Sequence, residues 1–179
     1  MTAKTLARAD AVAAVLLLLW AGMVLGFAFL VAPLLFSSLP SRDLAGMLAG
    51  KVVARLDLAA WIAFGVAIVL VQGGRWLAEL PETEILGPMR LWSAAAVLAL
   101  LMCFTSAFVI SPKLHAIRAR MGNAVEIFAP DSPERLAYQK AHGLSRQFMG
   151  LRLLLALALA AGTLALPRPA PEPLRENQP

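Results

Sequence analysis

Charge is scarce in this chain. Only 15% of its 179 residues are Asp, Glu, Lys or Arg, against roughly 25% in a soluble domain. Cysteine is nearly absent. The single Cys103 excludes an intrachain disulfide and a CxxC redox or zinc site. There are two histidines, His115 and His142, and no H-E-x-x-H, G-x-S-x-G or phosphate-cradling glycine loop. Enzyme chemistry is therefore poorly supported. The net charge is +5, yet no basic patch is interleaved with aromatics, so nucleic acid is not expected as a partner. What abounds is apolar side chain, at 60% of residues. The missing charge has gone into long uncharged runs, the mark of an integral membrane protein.

After a polar start (residues 1–10), the run 11–36 carries no charged residue. It exceeds the roughly 20 residues that cross a bilayer. A signal peptide's apolar region is only about 7–15 residues long, so 11–36 reads as an uncleaved first span. Gly22 and Gly26 form a GxxxG that admits a second helix closely, and Pro33 is expected to kink or end the helix. Residues 37–50 read as a turn and a short helical stretch capped at Ser41. The second span is placed at 52–72. Residues 73–90, with Gly73-Gly74 and two prolines, read as an acidic loop. A third span fills 91–110. Ser111-Pro112 then opens a short basic helix or extends the third span. Asp131-Ser-Pro-Glu134 offers a strong helix start, with Asp131 as the cap. From there a fourth helix can run to Leu166, its span at 145–166 preceded by a helical extension. The proline-rich tail, 167–179, is expected to be disordered. The fold class is thus all-α, an integral membrane four-helix bundle with a short cytoplasmic helical extension.

Orientation follows from the 16 Lys and Arg. Six lie in the N-terminus, the second loop and the tail. Ten lie between Arg42 and Arg55 or between Lys113 and Arg152. The positive-inside rule puts the ten in the cytoplasm and both termini in the periplasm.

The second and fourth spans are punctured by charge at the same end. Counting from the apolar ends of their helices places Asp57 about 6 Å and Arg152 about 7 Å inside the membrane edge. Arginine escapes such a position by snorkelling, but Asp57 is too short to do so. A contact between Asp57 and Arg152 is expected, with Arg55 or Arg146 as second partner. On the fourth helix His142, Ser145, Arg146, Met149 and Arg152 share one face, which should turn inward. Two histidines near helix ends suit haem, but neither lies at span depth. Cys103 is too deep to share a soft-metal site with His142 and Met149. No metal and no cofactor is expected.

The first span ends Leu-Val-Ala-Pro33-Leu and the third Val-Ile-Ser-Pro112-Lys. Each precedes a polar segment and a charged span opening, as in a parallel repeat of two hairpins. Several residue groups also carry a family likeness. These are Leu-Trp20-Ala-Gly22, Val-Ala-Pro33-Leu-Leu-Phe36, Gly46-Met-Leu-Ala-Gly50, Ala-Arg55-Leu, Ile110-Ser-Pro112-Lys-Leu, Phe-x-Pro-Asp131 and Ala-His142-Gly-Leu-Ser145. In this order the chain resembles the transmembrane protein 205-like family, whose bacterial members are grouped as a domain of unknown function. The resemblance covers about 12–166 and implies a four-span protein in a bacterial-type inner membrane. It implies no reaction, cofactor or verified site. Members often carry His after Arg-Leu, where this chain has Asp57.

Two functional classes remain open. One is a non-enzymatic helper or stress-related membrane protein acting through partners. The other is a small oligomeric transporter or channel using Asp57 and Arg152. The expected partners are the lipid bilayer and a second copy or another membrane protein.

Overall fold

A computed structural model describes residues 2–78 and 82–166. The proline-rich tail falls outside them. Among the described residues there is no strand, and four helices are long and apolar enough to cross a membrane. Helix α1 runs Ala3–Ser38, α2 Arg42–Leu77 and α4 Pro133–Ala165. Helix α3 comprises Glu82–Thr105, Ser106–Ile110 and Ser111–Arg120 in unbroken succession. Helices of this length rise about 50 Å, well beyond a hydrocarbon core of roughly 30 Å.

Three hydroxyls start three of these helices. Thr2 Oγ1 accepts from Thr5 N, Ser41 Oγ from Leu44 N, and Ser132 Oγ from Arg135 N. Each satisfies a backbone donor that has no partner inside the helix. For α4 the cap is Ser132, not Asp131, because Pro133 then takes the first helical position, where its missing N–H costs nothing.

Two further expectations are corrected. Residues 42–50 are not a separate stretch but the first turns of α2. Residues 73–77 are not loop: α2 continues through Gly73-Gly74 to Leu77, and helix resumes at Glu82. Glycine's poor helix propensity is about 1 kcal/mol. Here it is outweighed by the packing of this last turn, where Gly74 and Arg75 are both buried.

The core is a seam of small and medium side chains. On α1 it uses Ala13, Leu17, Trp20 and Val24, and on α2 Ala60, Ala63, Phe64, Ala67 and Val71. Ala96, Ala99 and Cys103 join from α3, and Ala156, Leu159 and Ala160 from α4. Alanine at helical spacing lets apolar helices approach closely, which is how bundles gain contact where lipid is as apolar as the interior. The outward faces are apolar too, with Val15, Leu19, Val69, Leu98 and Leu154 all exposed. Helices apolar all round belong in a membrane.

Helix α1 packs on α2 and α4, and α3 packs on the same two. So α2 and α4 stand diagonally across the bundle. The indole of Trp20 donates to the Leu56 carbonyl at 2.9 Å, joining α1 to α2. That of Trp92 donates to Thr163 Oγ1 at 2.9 Å and to the Leu159 carbonyl at 3.2 Å, joining α3 to α4.

Both odd-numbered helices carry a π-helical stretch, Phe27–Val31 in α1 and Ser106–Ile110 in α3. Ala32 N–H reaches back to Phe27 and Ser111 N–H to Ser106. Each stretch ends two residues before a proline, Pro33 or Pro112. Proline lacks an N–H and its ring crowds the carbonyl four residues back. Widening the preceding turn relieves that clash without breaking the helix. The prolines therefore neither end nor separate the helices.

Candidate functional site: two buried ion pairs

The structure brings Asp57 and Arg152 together. Arg152 Nη2 donates to Asp57 Oδ1 at 2.6 Å, and Ser106 Oγ, at the first residue of the α3 π stretch, donates to Oδ2 at 3.1 Å. Arg152 is only 1% exposed. A carboxylate held on both oxygens needs no second cation. The remaining Arg152 contacts are to sulfur: Nη1 to Cys103 Sγ at 3.6 Å and Nη2 to Met149 Sδ at 3.8 Å. Its Nε has no acceptor. The pair crosses the diagonal between α2 and α4 on the long arginine side chain.

The other expected members lie elsewhere. Arg55 and Arg146 are exposed, and neither takes part in the ion pairs found among the described residues. Ser145 is half-buried on the inward face with Met149 and Arg152, whereas His142 is turned outward and stacks on Tyr138 at 5.9 Å between ring centres. The expected inward stripe is thus split. Before residue 145, α4 packs on the end of α3 and on the α3–α4 connection through Tyr138 and Ala141, while His142 and Arg146 lie on its exposed flank. On that stretch, partial burial and then the charges of Arg146 and Arg118 hold the His142 pKa below its usual 6.5. Gly22 and Gly26 are not at a helix contact within the chain: a Cβ at either would meet nothing within 4 Å.

A second buried pair was not anticipated. Arg75 Nη1 and Nη2 donate to Asp10 Oδ1 and Oδ2 at 2.8 and 3.1 Å, and Nη1 also reaches the Val71 carbonyl at 3.1 Å. Asp10 is 0% and Arg75 5% exposed. The available signal was that Asp10 is the last charge before the first span and Arg75 the first after the second. Adjacent antiparallel helices bring those two positions to one level. Positions 57 and 75 are about 27 Å apart along α2, so the two pairs bracket a slab close to the roughly 30 Å of a bilayer's apolar core.

A third contact lies beyond the slab. Asp43, in the first turn of α2, accepts from Val125 N at 3.0 Å and Glu126 N at 3.3 Å. Arg118 Nη2 donates to the Asp43 carbonyl at 2.5 Å, and a Cβ on Gly46 would meet Arg118 Nη1 at 3.2 Å. Among the described residues no group of His, Cys, Asp and Glu is arranged to hold a metal ion.

An all-α bundle with four membrane-length helices, fastened by buried ion pairs, is the architecture of a multi-pass membrane protein. More narrowly, the chain belongs to the family described as a domain of unknown function, DUF4149, whose model matches residues 15–123. That segment includes Asp57 and Arg75, while their partners Arg152 and Asp10 lie outside it. Nothing among the curated proteins or the solved structures matches the chain.

Proposed function

We propose that this is a non-enzymatic helper protein of a bacterial inner membrane that acts through protein partners. Its termini are periplasmic, and the 121–132 connection faces the cytoplasm. The resemblance to the transmembrane protein 205-like family is part of this proposal. The observation that carries it is the closure of the central charges on each other. Both Asp57 oxygens are engaged and Arg152 is sealed from solvent, so the cluster serves as a fastener of three helices. Orientation draws support from exposure: Arg42, Lys51, Arg55, Lys113, Arg120, Lys140 and Arg146 are all exposed at one end, whereas Arg75 at the other is consumed by Asp10. That sharpens the cation imbalance that the positive-inside rule reads.

The alternative is a small oligomeric transporter or channel. It is favoured by the π stretch bordering the cluster, since such bulges recur at functional sites, and by the unmet Arg152 Nε. Gly22 and Gly26, open toward the membrane, would then join a second copy.

Thermal unfolding in mild detergent separates the two readings. Asp57→Asn and Arg152→Gln should each melt well below the wild type, and the double variant should recover much of the loss. A stable Asp57→Asn that abolishes ion or solute flux from proteoliposomes would reverse the conclusion in favour of transport.

A further inference from the structure

The connection between α3 and α4 is held more firmly than a spacer requires. Asp43 binds two consecutive backbone N–H groups, of Val125 and Glu126. Arg135 Nη1 donates to the Phe128 carbonyl at 2.7 Å. Beneath these contacts lies a second small core of Ile117, Met121 and Ala141, against which Leu114, Val125, Phe128 and Tyr138 pack. Val125 and Phe128 thus point inward from a short 3-10 turn, Val125–Ile127. Ile127 points the other way and is 79% exposed.

Lipid does not account for that exposure. From the ends of the apolar runs, α3 continues about 15 Å to Arg120 and α4 begins about 18 Å back at Pro133. The headgroup layer is only about 5–8 Å deep. Ile127 therefore stands in water on a preorganised turn, and a rigid apolar anchor of this kind is what an interface uses as its centre. The exposed charges of the connection itself, between 121 and 134, are all acidic. Glu126, Asp131 and Glu134 are exposed, and none belongs to the ion pairs found among the described residues. Arg118 is turned to the Asp43 carbonyl of α2 and Arg135 to the Phe128 carbonyl of the connection.

We infer that residues 125–131 form a docking knob for a soluble-side protein segment that presents an apolar pocket rimmed by Lys or Arg. The inference rests on the partner-dependent reading of the protein and names the partner's chemistry. Ile127 fills the pocket, the carboxylates select its rim, and Asp43 keeps the turn in its binding shape.

The test places a photo-crosslinking amino acid at 127 in the full chain, in native membranes, with parallel probes at Phe29 and Leu98 on the lipid-facing surface. The expected result is one protein adduct of defined added mass, other than a multiple of the chain's 19.1 kDa. It should fall at least about fivefold with Glu126→Lys/Asp131→Lys and when NaCl rises from about 0.1 to 0.5 M, which shortens the reach of exposed charges. Asp43→Ala should weaken it while the melting temperature in detergent stays near wild type, because only a surface turn is released. A lipid adduct, a dimer-sized adduct, or an adduct indifferent to the charge reversal would overturn the inference. If 127 captures nothing while 29 or 98 captures a protein, the knob fails and the partner-dependent reading stands. If no position captures a protein, both fail.

Discussion

The two buried ion pairs hold the bundle in different ways. Asp10–Arg75 joins α1 to α2, neighbours in sequence and in space, through a two-point fork plus a carbonyl. Asp57–Arg152 joins α2 to α4 across the diagonal and draws in α3 through Ser106 and Cys103. The first pair closes one hairpin. The second joins the hairpins to each other, so it fixes an arrangement that short connections leave free. It does so with fewer strong acceptors for its guanidinium, which meets two sulfurs where Arg75 meets oxygens.

The largest expected effect comes from breaking the diagonal pair. Removing one partner of a buried pair costs about 3–5 kcal/mol, because the other charge is left without compensation. Arg152→Leu should therefore give the deepest fall in the detergent melting temperature. Asp57→Leu/Arg152→Leu should regain most of the loss, since apolar replacement of a whole pair is often neutral. A loss in the double variant equal to the sum of the two single losses would show that the two charges are not coupled. The hairpin pair should matter less. Arg75→Gln breaks a contact between neighbouring helices only and leaves an amide able to donate to Asp10, and about 2 kcal/mol is expected. A larger fall for Arg75→Gln than for Arg152→Leu would invert the comparison. The tryptophans give a smaller version of it. Trp92→Phe removes two acceptor contacts and Trp20→Phe one, so losses of about 1–2 kcal/mol are expected, larger at 92. Smallest of all is Gly22→Ala, where the added methyl meets nothing within the chain. Its stability should stay within about 0.5 kcal/mol, and a change in oligomer size on that substitution would mark α1 as the contact between copies.

Part of the site was readable because charge in an apolar run is rare. Asp57 and Arg152 are the charges set deepest in their spans, and equal depth suggested their contact. Asp10 and Arg75 stood at the ends of such runs, where charge is ordinary, and gave no similar alarm. The assignment of 73–90 to a loop added to this, since the glycines that suggested a turn are helical under packing. Ser106 and Cys103 could not be chosen from sequence. Their approach to the pair depends on how α3 is rotated and widened next to Pro112. Arg55 and Arg146, nearer the membrane edge, were the expected second partners, yet rotation about the helix axis leaves them exposed.

The sequence alone determined the solvent of this protein and the number of its crossings. Hydrophobic runs must be buried in lipid, and a helix is the only single-segment structure that satisfies its own backbone there. It also determined the Ser41 cap and the sites where prolines disturb the helices, because these are local. The tertiary structure decided which charges meet, which glycines stay open, and that Asp43 holds a turn more than eighty positions away. Those outcomes depend on the rotation and order of four helices whose outer faces are all apolar, and such faces do not say which neighbour they will meet.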